Sequence, residues 1–407
     1  MDSHTKLLLL PCSGEETAEL AQDIYQILRK DYGLEEQVEI LVSNTKNRIE
    51  KNTPKDRRHP LVGDFFPDGE AQVDIGKNYL EDVIRGKHVV LVEHLLTPNR
   101  KIHPESDQVV SVNDHHMAVR GFLDVIENTE TLQRTLAVPY LSYVRAHSIL
   151  KYKKQRFEQF DSIKLTLRDF QKGFLNTLIT IDPHSEKVAQ ICEDLGIDFH
   201  GINPFQSGRS INPFKLGLYG EQAKEVLRRL RPFQERLKDL IEGEGKHYIV
   251  CVDDGTERRT ENFTERAYHI LPPEEAYALI AYLGKRRVSY DESIITFKPF
   301  SQINEKNIDS EGTYHIIDDM FSSGRTVNNA AKVFKDHGAK RVEAMTSHAV
   351  TTPTQYDSAN DRTYIDKVTA LDTVPQNPKL DIECIKASAD LLSAEIYKAH
   401  QKLVASR

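Results

Sequence analysis

Short apolar runs of strand length recur along this 407-residue chain and alternate with stretches of helical periodicity. Residues 6–10, 38–42, 88–92, 135–138, 177–181, 247–252, 293–297, 313–317, 341–346 and 367–371 are the candidate strands. Helices fit between many of them, which argues for parallel sheets with both faces covered and so for an α/β fold. The length exceeds one ordinary core, so two domains are expected. The division is placed between residues 176 and 205, giving an N-terminal α/β domain over 1–190 and a C-terminal one over 191–407.

At the start of the chain the run 6–10 leads through Pro11-Cys12-Ser13-Gly14 into a helix. Leu20, Ile24, Ile27 and Leu28 of that helix recur at helical spacing, with Ser13 as its expected cap. Polar, Pro-containing insertions at 44–60, 97–111 and 204–220 interrupt the pattern and read as surface decoration. Within the first, the basic run 46–58 reads as a solvated loop.

The formal net charge of −8 argues against a nucleic-acid protein that works through a basic surface. Cys12, Cys192, Cys251 and Cys384 are scattered without CxxC pairing, so they read as thiols in a reducing compartment and not as a disulfide frame or zinc site. The apolar run 7–10 is too brief for a signal segment or a membrane span. A cytoplasmic location and no membrane partner are the expectation.

The most informative stretch begins at Thr313. A strand ends in Asp318 and Asp319, a loop Ser322-Ser323-Gly324-Arg325-Thr326 follows, and a helix then carries Val327, Ala330, Ala331 and Phe334 on one face. Lys335 and His337 sit in its last turn and Gly338 stops it. Such a turn suits a sugar phosphate: N–H groups and the helix dipole favour an anion, Ser322, Ser323 and Thr326 add hydroxyls, and Gly324 lets the backbone close in. The acids would then face sugar hydroxyls or a metal. A plain helix cap after a buried strand is the competing reading of the same residues.

Residues 318–326 resemble the ribose-phosphate loop of the phosphoribosyltransferase superfamily, in which two acids precede a small-residue loop ending in Gly-x-Thr. The chain resembles the ribose-phosphate diphosphokinases of that superfamily in patches from Leu7 to about Glu395. Phe66-Pro67-Asp68-Gly69-Glu70 is similar to the family's early nucleotide-contacting segment, and Asn113-Asp114 begins a helix in the matching place. Pro139-Tyr140, Tyr143 and Arg145 resemble the opening of its ATP loop, and Asp182-Pro183-His184 its Asp-x-His metal segment. Asp253-Asp254-Gly255 with Arg259 is similar to Asp-x-Gly-Gly-x-x-Arg, one glycine being Thr256. Lys298 falls at the family's catalytic lysine, and Val374-Pro375-Gln376 follows the last strand as the family's Pro-Gln element does.

The resemblance implies two phosphoribosyltransferase-type domains, each a mainly parallel sheet flanked by helices. It implies transfer of the diphosphoryl group of ATP to the anomeric hydroxyl of ribose 5-phosphate, with Mg2+ and release of AMP. Lys298 would be catalytic; Phe66, Asp68, Glu70, Arg145 and His184 would bind ATP. His184 and Asp253 would hold the metal, while Asp318, Asp319, Ser322, Ser323, Gly324, Arg325 and Thr326 would bind ribose phosphate. Family members commonly form oligomers, so a homo-oligomer is expected.

Two departures matter. After Arg145 the chain reads Ala146-His147-Ser148, with basic residues only at Lys151, Lys153, Lys154 and Arg156. Pro299-Phe300 stands where the family carries a basic residue after its lysine; Arg258, Arg259 or the 151–156 run would have to replace that charge. Three other readings stay open: a non-catalytic regulatory homologue, a diphosphokinase for a larger ribosyl 5-phosphate compound with room made by 204–220 and 256–290, and a phosphoribosyltransferase.

Overall fold

The computed structural model describes residues 5–41, 61–66, 68–75, 80–102, 106–145, 161–205, 220–241, 245–253, 255–267, 279–287 and 293–407. Its first part contains β1 (Leu7–Pro11), α1 (Glu15–Lys30), β2 (Val38–Ile40) and an antiparallel hairpin of β3 (Leu61–Phe65) and β4 (Ala71–Ile75). Then come β5 (His88–Val92), α2 (Val112–Val125), β6 (Gln133–Val138), α3 (Ser162–Lys172), β7 (Thr177–Ile181), α4 (Lys187–Asp194) and β8 (Asp198–Ile202). Apart from the hairpin, these strands form one six-stranded parallel sheet in the order β2-β1-β5-β6-β7-β8.

Two helices, α5 (Gly220–Arg229) and α6 (Pro232–Ile241), lead to the second sheet. That part holds β9 (His247–Cys251), α7 (Glu257–Ala267), β10 (Ile280–Arg287), β11 (Ser293–Phe297), β12 (Thr313–Phe321), α8 (Arg325–Asp336) and β13 (Arg341–Ala349). It ends with α9 (Tyr356–Asn360), β14 (Lys367–Leu371), β15 (Glu383–Ile385) and α10 (Ser388–Ala405). The seven strands lie in the order β11-β10-β9-β12-β13-β14-β15, all parallel except β11 against β10. The expected α/β class with mainly parallel sheets flanked by helices is borne out.

The period of two in each strand divides its side chains between two layers. Leu8 and Leu10 of β1 face a layer with α2, α3 and α4, through residues such as Phe122, Leu167 and Ile191. Leu7 and Leu9 face the other way, into a cluster that also contains Phe233 and Leu237 of α6 and Leu391, Leu392 and Ile396 of α10. The same cluster includes Ile249, Ile317, Met345 and Leu371 from the second sheet. One apolar layer therefore joins the two sheets. The outer face of the second sheet has its own cluster, in which Val327, Ala330, Ala331 and Phe334 of α8 pack on Tyr314 and Ile316.

A division at residue 190 is corrected by this arrangement. It would cut β8 from its sheet, since Asp198–Ile202 pairs with Thr177–Ile181 in register. It would also assign α10 to the wrong sheet, because that helix returns to the first. Tyr397 lies against Tyr32 with ring centroids 4.9 Å apart, Glu395 bonds His200 at 2.9 Å, and Lys402 bonds Asp198 at 2.7 Å. Burying Leu391, Leu392 and Ile396 contributes roughly 1.5–3 kcal/mol each.

Other expectations change locally. Ser13 does not cap α1; the N-cap is Gly14, at φ 78°, and the Ser13 hydroxyl donates inward to buried Glu93 at 3.0 Å. Residues 256–290 are not merely an inserted segment, since they supply α7 and β10. Of the polar insertions, 42–60 and 206–219 lie outside the described residues. Among the described residues, no helix is long and apolar enough to cross a membrane.

Several buried histidines are held neutral. Burial lowers His88 to about 3 and His400 to about 4; the two rings stack across the α10 contact, Nδ1 to Nδ1 3.3 Å. Burial also lowers His94 to about 4 and His116 and His315 to about 3. A histidine with a depressed folded pKa leaves the unfolded chain to bind protons first, so stability falls from the unfolded value near 6.5 down to the folded values. His200, raised with Glu395 beside it, opposes this over part of the range. The urea midpoint at pH 5 should therefore lie clearly below that at pH 7.5; an unchanged or higher midpoint would contradict the buried-neutral assignment.

Candidate active site

The loop expected to hold phosphate is built as the sequence suggested, with one difference. β12 does not stop at Ile317 but runs to Phe321, pairing with β13 as far as Phe321↔Ala349, so Asp318 and Asp319 belong to the strand. Ser322 and Ser323 turn the chain, and Gly324 begins α8 at φ 73°. A Cβ there would lie 2.9 Å from the Phe321 ring, which explains the glycine. Because the N-cap is glycine, no cap side chain competes for the first-turn N–H groups.

The loop is braced from behind. The Thr351 hydroxyl donates to the Ser322 carbonyl at 2.8 Å, and the Ser358 hydroxyl to the Ser323 carbonyl at 3.0 Å. Ser322 Oγ donates to Gln355 at 3.2 Å. Carbonyls tied back in this way leave the opposite, N–H-bearing side of the turn for an anion. Ser322, Ser323, Gly324 and Thr326 are half-buried and Arg325 is exposed.

The paired acids lie in sharply different electrostatic settings. Burial, with Asp319 alongside, pushes Asp318 well above the usual carboxylate range. Burial also acts upward on Asp319, but the hydrogen bond from His184 and then the charge of Arg259 outweigh it and hold that carboxyl far below its ordinary value. Two adjacent carboxyls are thus shifted in opposite directions, Asp318 upward and Asp319 downward.

His184 comes from the loop after β7, in the first sheet, and its Nδ1 meets Asp319 Oδ2. Arg259, on α7, places Nη1 3.9 Å from Asp319 Oδ1 and donates from Nη2 to Asp182 Oδ1 at 2.6 Å. Its guanidinium stands 5.9 Å over the ring of Phe205. Beside this cluster opens a cleft of about 740 Å³, lined by Asp182, His184, Phe199, Asn203, Arg258 and Arg259 among others. A second cleft, of about 430 Å³, runs from Tyr140, Tyr143 and Arg145 to Ser322 and Gln355.

Other candidates fall elsewhere. Asp253 Oδ1 accepts the N–H groups of Gly255 at 3.0 Å and Thr256 at 3.2 Å, so it shapes the entry to α7. Its neighbour Asp254 is outside the described residues, as are 146–160 with the basic cluster Lys151 to Arg156. Lys298 follows β11 and is mostly buried, with its ammonium 3.1 Å from Glu257 Oε1. Phe300 occupies the neighbouring space, its ring 5.4 Å from that ammonium. Arg145 Nε lies 3.4 Å from the sulfur of Met320 on β12.

Phe66, Asp68 and Glu70 line neither cleft. They form the tip of the β3–β4 hairpin, where Gly69 N donates to Phe66 O and Asp68 Oδ1 accepts from Glu70 N at 3.2 Å. The hairpin rests on α2, through a small cluster of Phe65, Val110 and Ala118.

For a divalent cation the candidate donors are the Asp319 carboxylate, with the His184 ring against it, and separately the Asp253 carboxylate at the entry to α7. Among the described residues no group of three or more His, Cys, Asp or Glu side chains is gathered as a metal cage. That suits Mg2+, which takes one or two protein carboxylates and completes its shell with water and substrate phosphates. Sequence reasoning did not single out Ser347 and His348 of β13, which contact Asp182 from the second sheet. No local pattern marks them: they sit inside a strand, and only the packing of the two sheets brings them to the cleft.

No protein-family profile matches the chain. Curated relatives do. A ribose-phosphate pyrophosphokinase of Prochlorococcus marinus subsp. pastoris is 25% identical over 349 residues, covering 84% of each chain. Its counterpart in Sulfurisphaera tokodaii is 22% identical over 344 residues, 83% of this chain and 94% of that one. Among solved structures, a phosphoribosylpyrophosphate synthetase from Mycobacterium smegmatis superposes over 98% of this chain and 100% of its own, with TM-score 0.62 and 16% identity. The family resemblance in the sequence, and the ribose-phosphate diphosphokinase class it implied, are borne out by these relatives.

Gly324→Ala should cost about 1–3 kcal/mol, from the left-handed backbone together with the approach to Phe321. Urea unfolding measures it; a cost below a few tenths would contradict this loop geometry.

Proposed function

We propose that this relative of the ribose-phosphate pyrophosphokinases transfers the diphosphoryl group of ATP to the anomeric hydroxyl of ribose 5-phosphate, with Mg2+, giving phosphoribosyl diphosphate and AMP. One observation carries the reading: the charged carboxyl of Asp319, beside the uncapped start of α8, is met from the other sheet by His184. The strand that leads into the sugar-phosphate seat thus meets a candidate nucleotide group of the other sheet.

In this reading the 5-phosphate rests on the N–H groups and hydroxyls of Ser322 to Thr326, and the ribose hydroxyls meet Asp318 and Asp319. Asp319, the stronger acid of the pair, accepts from a sugar hydroxyl with Asp318 beside it. The anomeric oxygen forms a bond to the β-phosphorus, the bond from that phosphorus to the α,β-bridging oxygen breaks, and its electron pair leaves with AMP. The proton of the anomeric hydroxyl is released to solvent. Such transfer is mainly a matter of positioning and charge neutralisation. Mg2+, for which His184 and Asp253 are the candidate ligands, would supply neutralising charge on the nucleotide phosphates.

Lys298 and Arg258 supply cationic charge on the protein side. Arg259 is already committed to Asp182, so Arg258, which lines the cleft, is the better replacement for the basic residue absent after Lys298. Tyr140, Tyr143 and Arg145 form the second cleft's wall and are assigned to the nucleotide.

Purified chain with ATP, Mg2+ and ribose 5-phosphate should release AMP, and chelation of the metal should abolish it. Lys298→Ala should lower kcat on the order of 100-fold while ATP affinity changes by less than about threefold. AMP formed only with a larger ribosyl phosphate would redirect the acceptor assignment. No AMP with any acceptor, despite ATP binding, would leave a non-catalytic homologue.

The hairpin tip with Phe66, Asp68 and Glu70 lies on neither cleft of its own chain, which supports a homo-oligomer in which it serves the nucleotide of a second copy. Phe66→Ala and Lys298→Ala chains, each weakly active, should regain activity when mixed and allowed to exchange subunits. A mixture no more active than its parts would assign the hairpin to its own chain or to no site. A cytoplasmic setting belongs to the same proposal and agrees with cysteines that form no disulfide among the described residues.

A further inference from the structure

Asp182 is the place where the two halves of the cleft are tied together. It is 3% exposed and follows β7 of the first sheet, yet its acceptors are met by three side chains of the second. Arg259 Nη2 donates to Oδ1 at 2.6 Å, the Ser347 hydroxyl donates to Oδ2, and His348 Nε2 lies 3.1 Å from the backbone carbonyl. A carbonyl has no proton to give, so Nε2 carries it. Nδ1 of the buried ring lies 2.8 Å from Thr373 Oγ1, whose hydroxyl donates to the Ser347 carbonyl at 2.8 Å. The donors come from α7 and β13, the latter paired directly with the strand that holds Asp319.

The backbone here needs that restraint. Asp182 has φ 41° and His184 φ 29°, in the left-handed region that non-glycine residues enter at a cost of roughly 1–3 kcal/mol each. Between them Pro183 shortens the segment, and His184 N donates back to Asp182 O at 2.7 Å. A strained turn of this kind persists only where its surroundings over-determine it. The surroundings here are second-sheet donors, and their effect is to face His184 toward Asp319.

We propose that Asp182 is a positioning residue: it fastens the His184 turn to the second sheet, so that His184 and Asp319 are set against each other before substrate arrives. Asp182 is buried beneath the cluster and acts through His184. This inference rests on the proposed transfer reaction only for its catalytic consequence; the fastening itself stands on the geometry. Asparagine at this position keeps the shape but removes the charge facing Arg259, and the buried guanidinium is left to compete with His184 for Asp319.

The test uses the full chain. Hydrogen exchange in a peptide spanning 182–188 should quicken at least tenfold in Asp182→Asn, with peptides of β6 unchanged; unaltered exchange at 182–188 overturns the proposal. In the AMP-release assay, Asp182→Asn and His184→Ala should each lower kcat tenfold or more, and the double variant should be no slower than His184→Ala alone. A double variant slowed by the product of the two effects also overturns it, because a residue acting only through general stability would multiply. Should Asp182→Asn not fold, Ser347→Ala loosens the same carboxylate and carries both comparisons. A wild-type chain that releases no AMP refutes the transfer reaction instead, and the exchange measurement then decides the fastening by itself.

Discussion

Arg259 provides the buried charge on which the cleft depends. Three carboxyls lie within its reach, Asp182 and Asp319 buried and Asp318 half-buried, and leaving buried carboxylates unpaired would be prohibitively costly. The arrangement meets that cost in three ways. Asp318 is pushed toward its neutral form, Asp182 takes the guanidinium directly, and Asp319 is stabilised by His184 with Arg259 at longer range. The outcome is a strongly acidic carboxyl beside a weakly acidic one where sugar hydroxyls would lie.

That pairing is possible because the two sheets share one apolar layer. Ile317 and Met345 of the second sheet pack into the same apolar layer as Leu7, Leu9 and Val90 of the first. The final helix belongs in sequence to the second half but lies on the first sheet, held at Tyr32, His88, Asp198 and His200. Strand ends from both sheets therefore face one cleft with fixed offsets. A second tie joins them further out, where Asn377 Nδ2 donates to Asn99 Oδ1 at 2.5 Å and to Tyr356 Oη at 2.7 Å. Tyr356 begins the short helix that braces the phosphate loop through Ser358.

The parts legible in the sequence are those whose physics is local. The acids, the small-residue turn and the amphipathic face of α8 are contiguous, and Val327, Ala330, Ala331 and Phe334 are all buried as their spacing required. The central strands were also plain, because burial on both faces leaves short runs dominated by β-branched and apolar residues, such as 88–92 and 177–181. The edge strands β8 and β15 were not, although 38–42 and 293–297, also at edges, were. Asp198-Phe199-His200-Gly201-Ile202 is half polar because it closes one side of its sheet, and missing it shifted the domain division. β10 was hidden because its second half, Gly284-Lys285-Arg286-Arg287, pairs only with the antiparallel edge strand. The role of Ser13 reversed because its hydroxyl found a buried carboxylate, Glu93, ahead of the helix N–H groups. Contacts such as His184 with Asp319, 135 residues apart, have no sequence signature beyond the family resemblance.

The central claim is that an anionic pentose is gripped at the start of α8, beneath Asp318 and Asp319. Amide hydrogen exchange over residues 322–328, recorded with ribose 5-phosphate and with unphosphorylated ribose, tests it most directly. The account predicts that the phosphorylated sugar slows exchange there several-fold, whereas ribose at the same concentration leaves it unchanged. Protection confined to some other segment, or equal protection by both sugars, would contradict it.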